Sequence, residues 1–94
     1  LKIWYANNNI IKNNTIEYSR DVTLTYSNNN KIIDNTFINN RFATYIHLSN
    51  NNLVQNNIYK YNSVAIMIMS SKDIDIKSNQ IKSSKGAAGI GVVL

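Results

Sequence analysis

Asn14, Asn35, Asn57 and Asn79 stand 21, 22 and 22 residues apart. A fixed period of that length marks a stacked-repeat architecture, because every coil must return the chain to the same place. Setting the chain in register on these asparagines aligns further columns. Ile11, Ile32, Val54 and Ile76 lie three residues before them, and Ile16, Phe37, Tyr59 and Ile81 two after. Ile3, Leu24, Ile46 and Ile68 lie eleven before, Leu1, Val22, Thr44 and Ile66 thirteen before, and Tyr5, Tyr26, Leu48 and Ser70 nine before. A fifth pass opens at Ile90, Val92 and Leu94. If Ile90 repeats Ile66 the step is 24, and the turn holding Lys85, Gly86, Ala87 and Ala88 is two residues longer.

Inside a coil the apolar pattern has period two. Leu1-Lys2-Ile3-Trp4-Tyr5 and Ile66-Met67-Ile68-Met69-Ser70 alternate as half-buried strands do. This predicts an all-β chain: a parallel β-helix of about four coils of 21–24 residues, each with three short strands. A leucine-rich repeat has a similar period but needs several leucines per repeat, and this chain has few. The asparagine column is expected at turns between strands, in the left-handed region that Asn tolerates better than most residues. Its amides are expected to bond from coil to coil, as in stacked ladders. The runs Asn7-Asn8-Asn9, Asn28-Asn29-Asn30 and Asn50-Asn51-Asn52 read as turns with local side-chain caps.

The units Asn14-Thr15-Ile16, Asn35-Thr36-Phe37, Asn57-Ile58-Tyr59 and Asn79-Gln80-Ile81, each following an alternating strand, carry a resemblance. They resemble the right-handed parallel β-helix repeats of the pectate-lyase-like superfamily, of the type found in NosD-like proteins. The resemblance covers nearly the whole chain and implies a fold more than an activity, since that fold hosts lyases, hydrolases, epimerases, adhesins and inert spacers. It implies that the outer face of each coil's first strand lines a carbohydrate groove. That face carries Lys2 and Trp4, Thr23 and Thr25, Tyr45 and His47, then Met67 and Met69. Large apolar side chains on an outer face point to a contact surface.

The expected function is therefore a β-helix segment, residues 1–94, of a larger exported or cell-surface protein that presents a carbohydrate-binding face. A purely structural spacer or adhesin stalk is the alternative. Trp4, Tyr45, His47, Arg20 and Arg41 are the candidate ligand contacts. The two arginines share one column, with Lys85 next, and would suit an acidic polysaccharide. His47 with Met67 and Met69 offers an imidazole and two thioethers, ligands that suit Cu(I); the NosD-like resemblance makes a copper-related periplasmic protein a further alternative. No cofactor is expected.

Catalysis finds little support. Glu17, Asp21, Asp34, Asp73 and Asp75 are the only acidic residues, and most glycosidases need two carboxylates across the bond. Asp73 and Asp75 read as one strand face beside Lys72 and Lys77, an arrangement for surface ion pairs. The outer face of the first strand is expected to carry no carboxylate. An enzymatic parent would be a polysaccharide lyase, hydrolase or epimerase, with its catalytic groups elsewhere. Net charge is +5, but the lysines are dispersed and no nucleic-acid module is recognisable.

There is no cysteine, so no disulfide framework or thiolate site. No apolar run reaches membrane-spanning length. The expected location is extracellular, cell-surface or periplasmic. The expected partners are a polysaccharide or surface glycan and neighbouring coils of a longer chain. Leu1 opens on a strand and Leu94 closes on one, so the isolated segment is expected to expose coil ends and to associate.

Overall fold

The computed structural model describes residues 1–82 and the strand Ile90–Val93. Every regular element among them is a strand. The first coil holds β1 (Lys2–Trp4), β2 (Ile10–Lys12) and β3 (Thr15–Glu17). The second holds β4 (Asp21–Thr25), β5 (Lys31–Ile33) and β6 (Thr36–Ile38), and the third β7 (Phe42–His47), β8 (Leu53–Gln55) and β9 (Ile58–Lys60). The fourth holds β10 (Val64–Met69), β11 (Asp75–Lys77) and β12 (Gln80–Lys82), and β13 (Ile90–Val93) begins a fifth pass. First strands pair only with first strands, second with second and third with third, giving three parallel sheets. The chain is a parallel β-solenoid of about four coils.

The columns inferred from the period are the strand registers. Ile11, Ile32, Val54 and Ile76 pair in sequence, as do Ile16, Phe37, Tyr59 and Ile81. Ile3, Leu24, Ile46 and Ile68 do the same in the first sheet. Leu24, Ile32, Phe37, Ile46, Val54, Tyr59 and Ile66 are buried, and Ile3, Ile11, Ile16, Ile74 and Ile76 pack against them half-buried. The Phe37 and Tyr59 rings stack at 4.9 Å inside the barrel. The one polar residue of the inward first-strand column, Thr44, meets the Tyr59 hydroxyl at 2.8 Å, so neither buried hydroxyl is unpaired. Burial also pushes the Tyr59 phenol above its usual pKa, and the Thr44 contact only partly opposes this.

The change of period from 21 to 22 has a local cause. Asp21 pairs with Phe42, but Thr23 pairs with Tyr45, and the register shifts between them. One extra residue therefore enters the first strand of the third coil. Ala43 and Thr44 are consecutive and both buried, a departure from alternation that marks a bulge. Ala43 is small enough to face inward beside its neighbour. Val64, Ala65 and Ile66 repeat the arrangement one coil later.

The corners differ from expectation in a way that explains the asparagines. The residues with positive φ are Asn13, Asp34, Asn56 and Ser78, each directly before the ladder asparagine, and not Asn14, Asn35, Asn57 or Asn79. The left-handed residue turns the chain; the asparagine after it secures the turn. Asn57 Oδ1 accepts the Asn35 N–H at 2.9 Å, and its Nδ2 donates to the Ile32 carbonyl at 2.9 Å and to Asn79 Oδ1 at 3.1 Å. Asn35 and Asn79 make the equivalent bonds to Ile11 and Val54. Corner backbone groups that no strand can pair are thereby satisfied by the next coil.

Two more asparagine ladders follow the same rule. Asn30 and Asn52 form one, serving Ala6 and Ser27, and Asn40 and Asn62 form another, serving Ile16 and Phe37. The last residues of the second and third Asn triplets are thus ladder residues, while Asn9 caps locally on the Asn7 carbonyl and Asn30 adds the same local bond to Asn28. A serine column, Ser27, Ser49 and Ser71, accepts corner N–H groups at the fourth corner. On the outside Asn7 and Asn28 run the other way, each taking the N–H of the following coil at 2.7 Å.

Three further expectations are corrected. Tyr5, Tyr26, Leu48 and Ser70 are not strand residues but left-handed corners with exposed side chains. A left-handed tyrosine is costly, and the parallel stacking of the Tyr5 and Tyr26 rings at 4.9 Å offsets part of that. Asp73 is likewise a corner residue, so it does not share a strand face with Asp75; Asp75 pairs with Lys77 at 3.6 Å instead. In the fifth pass Ile66 pairs with Val92 and Val64 with Ile90, so Val92, not Ile90, is the residue that repeats Ile66. Lys85, Gly86, Ala87, Ala88 and Leu94 lie outside the described residues.

Candidate functional site

The outer face of the first sheet is two parallel rows. Lys2, Thr23, Tyr45 and Met67 pair in one, and Trp4, Thr25, His47 and Met69 in the other. Strand alternation sends them all outward while Ile3, Leu24, Ile46 and Ile68 face the core. Going up the solenoid, the face changes chemistry every coil or two.

On the first two coils the rows form an open groove of about 370 Å³. Thr23 and Thr25 are its floor, being short. Lys2, Trp4 and Tyr26 stand around it, and Asp21 closes one end. Trp4 is 67% exposed and rests against Tyr5, their ring centres 5.6 Å apart. Tyr5 in turn stacks on Tyr26. Trp4 and His47 stand one on each side of Thr25 along the same row, two strand spacings or roughly 9–10 Å apart.

On the third and fourth coils the side chains are large and touch. The Tyr45 hydroxyl donates to Met69 Sδ at 3.2 Å, and the Tyr45 and His47 ring centres are 5.9 Å apart. Phe42 meets Tyr45 edge to face at 5.5 Å. The Arg41 guanidinium lies 4.8 Å over the Phe42 ring and donates from Nε to Asp21 Oδ1 at 2.9 Å. Its second branch reaches Asp21 Oδ2, completing a two-point ion pair. The hydrogen bond to Asp21 raises the already high pKa of Arg41.

The candidate residues therefore fall into three places. Trp4 belongs to the groove, Tyr45 and His47 to the wall with Met67 and Met69, and Arg20 and Arg41 to the corner before the first sheet. Arg41 is occupied by Asp21, whereas Arg20 is exposed and has no ion pair among the described residues. The outer face does carry a carboxylate, contrary to expectation: Asp21 opens β4 and alternates with Thr23 and Thr25. That period-two relation is visible in the sequence. Tyr26 was less accessible to sequence reasoning, because its corner geometry turns it out of the strand pattern.

Asp21 is the one carboxylate lining the groove, and it is already paired with a guanidinium. The groove thus offers contacts for hydroxyl groups and a ring face, without the two opposed carboxylates that glycoside hydrolysis uses.

A family model described as periplasmic copper-binding protein (NosD) matches residues 1–94. The chain belongs to the NosD family. No curated protein matches it. The NosD description supplies a location, the periplasm, and a metal, copper. Among the described residues no group of three or more His, Cys, Asp or Glu converges, so a cage of hard or borderline ligands is missing there. The side chains of softer character on this face are His47, paired with Met69 across adjacent strands, and Met67 on the same face. Those ligands fit copper in its +1 state.

Proposed function

We propose that this chain is a solenoid module of an exported NosD-family protein whose first-sheet face binds a polysaccharide. The observation that carries the reading is the groove over Thr23 and Thr25 with Trp4 exposed beside it. A pyranose has a polarised C–H face that packs on an aromatic ring and a rim of hydroxyls that needs donors and acceptors. Trp4 supplies the ring, the two threonines supply hydroxyls, and Lys2 supplies a cation at the rim. The spacing of Trp4 from His47 leaves room for one sugar unit across the floor. Lys2 and exposed Arg20 favour an acidic glycan over a neutral one.

The test is calorimetry or a glycan array with acidic polysaccharides against neutral glucans, comparing the native chain with Trp4→Ala. The expected result is binding to an acidic chain that weakens about tenfold, or 1.4 kcal/mol, in the variant. Failure of every glycan to bind would overturn the reading and leave the solenoid as a structural spacer.

A further inference from the structure

The chain has no cysteine and two methionines, so all of its sulfur sits on one strand, β10, and on one outer face. The two thioethers differ in access. Met67 is half-buried on a strand flanked on both sides, pairing with Tyr45 of β7 and with Val93 of β13. Met69 is 45% exposed, where a methionine has no core gap to fill.

They also differ in what touches the sulfur. The Tyr45 hydroxyl donates to Met69 Sδ at 3.2 Å, whereas Met67 Sδ accepts no hydrogen bond among the described residues. Tyr45 is itself held: Phe42 meets it edge to face at 5.5 Å, and the His47 ring centre lies 5.9 Å away. The donor therefore approaches the sulfur from a fixed side. A thioether sulfur has two lone pairs, and oxidation through one or the other gives opposite sulfoxide epimers. The hydrogen bond occupies one lone pair of Met69 and leaves the other as the nucleophile.

We propose that Met69 is a reversible oxidation site for hydrogen peroxide and that Tyr45 fixes the hand of the sulfoxide formed. The free lone pair of Met69 Sδ attacks one peroxide oxygen. The S–O bond forms and the O–O bond breaks. The proton on the transferred oxygen passes to the departing one, which leaves as water. Sulfur loses two electrons and peroxide gains them. The product is a single epimer, which one epimer-specific reductase returns to the thioether. While oxidised, an apolar side chain is replaced by a polar, chiral one on the row shared with His47. Tyr45 acts as a positioning residue, because it directs the reaction without exchanging atoms with peroxide. The family's compartment, the periplasm, is an oxidising one. The site is separate from the groove and stands whether or not a glycan binds there.

The test exposes the native chain to limiting hydrogen peroxide and follows each methionine by tandem mass spectrometry, which resolves the two positions. Met69 is expected to oxidise about tenfold faster than Met67, since susceptibility follows exposure. The oxidised chain is then digested, and the peptides are offered to the two methionine sulfoxide reductases, one specific for each epimer. Digestion first removes any effect of access to the folded face. One reductase is expected to clear nearly all of the Met69 sulfoxide and the other almost none. Tyr45→Phe deletes only the hydroxyl, and circular dichroism checks that the variant keeps its strands. In that variant each reductase is expected to clear about half of the Met69 sulfoxide. Packing alone changes the rate of oxidation; the epimer ratio reports the hydrogen bond. Equal rates at the two methionines, an even epimer mixture at native Met69, or undiminished selectivity in Tyr45→Phe would each overturn the proposal.

Discussion

Asn57 holds the turn of the coil before it: its Oδ1 accepts the Asn35 N–H and its Nδ2 donates to a carbonyl three residues upstream of Asn35, each at 2.9 Å. Asn57 is fully buried, so water cannot replace either bond. Truncation to alanine leaves two buried backbone groups unpaired, each costing about 1–3 kcal/mol. Asn57→Ala is expected to lower unfolding stability by about 2–5 kcal/mol. Denaturant melts of the native chain and variant measure it, and a shift within experimental error would remove the ladder from the list of stabilising features.

Ile46 lies at the centre of the inward column of the first sheet and has no exposed surface. Ile46→Ala is expected to cost about 2–5 kcal/mol through lost transfer energy and the cavity left behind. Ile10, on a neighbouring sheet but 63% exposed, is the control: Ile10→Ala is expected to stay within about 0.5 kcal/mol. Equal effects at the two positions would contradict the register.

Thr44 and Tyr59 form a closed pair in the core. Tyr59→Phe alone strands the threonine hydroxyl and is expected to cost about 1–3 kcal/mol, while Tyr59→Phe with Thr44→Val recovers much of it. The pair also gives a pH dependence. Folding raises the Tyr59 pKa, so above about pH 10 the unfolded chain loses the phenol proton and the folded chain keeps it. The unfolded state then binds fewer protons, and stability falls as pH rises. Melts at pH 9 and 11 check the sign: the native chain is expected to lose more stability across that interval than Tyr59→Phe.

Arg41 and Asp21 are a partly exposed pair, with side chains 44% and 22% accessible. Such pairs contribute about 0.2–1 kcal/mol, so Arg41→Ala is expected to be nearly neutral, and more so at high salt. Asp21→Asn has a different expected effect. It frees a guanidinium at the edge of the groove and removes a negative charge from it, so affinity for an acidic polysaccharide rises. Unchanged affinity in that variant would exclude Arg41 from the binding surface.

The core was legible because inward columns are apolar in nearly every coil, Thr44 excepted, and period alone reveals them. Ile32, Val54 and Ile76 could be aligned without knowing anything of the turns. The corners were only half legible. Asn35 and Asn57 stood out by period, yet their φ did not, because sequence cannot tell a residue that makes a left-handed turn from one that bonds across it. Asn30 and Asn52 repeat with the same spacing as Asn35 and Asn57 but were obscured by the adjacent asparagines of their triplets. Of the candidate site, the outward direction of Trp4, Tyr45, His47 and Met69 followed from alternation. The Arg41–Asp21 pairing did not, since it runs diagonally between adjacent coils, 20 residues apart, and joins neighbouring columns rather than one.

The three inner asparagine ladders all point one way, from the later coil's side chains to the earlier coil's backbone. At these inner corners a coil is completed by its successor, while only the outer asparagines Asn7, Asn28 and Asn50 reach the other way. As the chain emerges amino terminus first, from a ribosome or a translocation channel, each newly formed inner corner presents open backbone groups that the asparagines and serines of the next coil close. The molecule is assembled as a zipper with a built-in direction of travel, and a stall at any coil leaves a defined, polar docking edge facing the segment still to come.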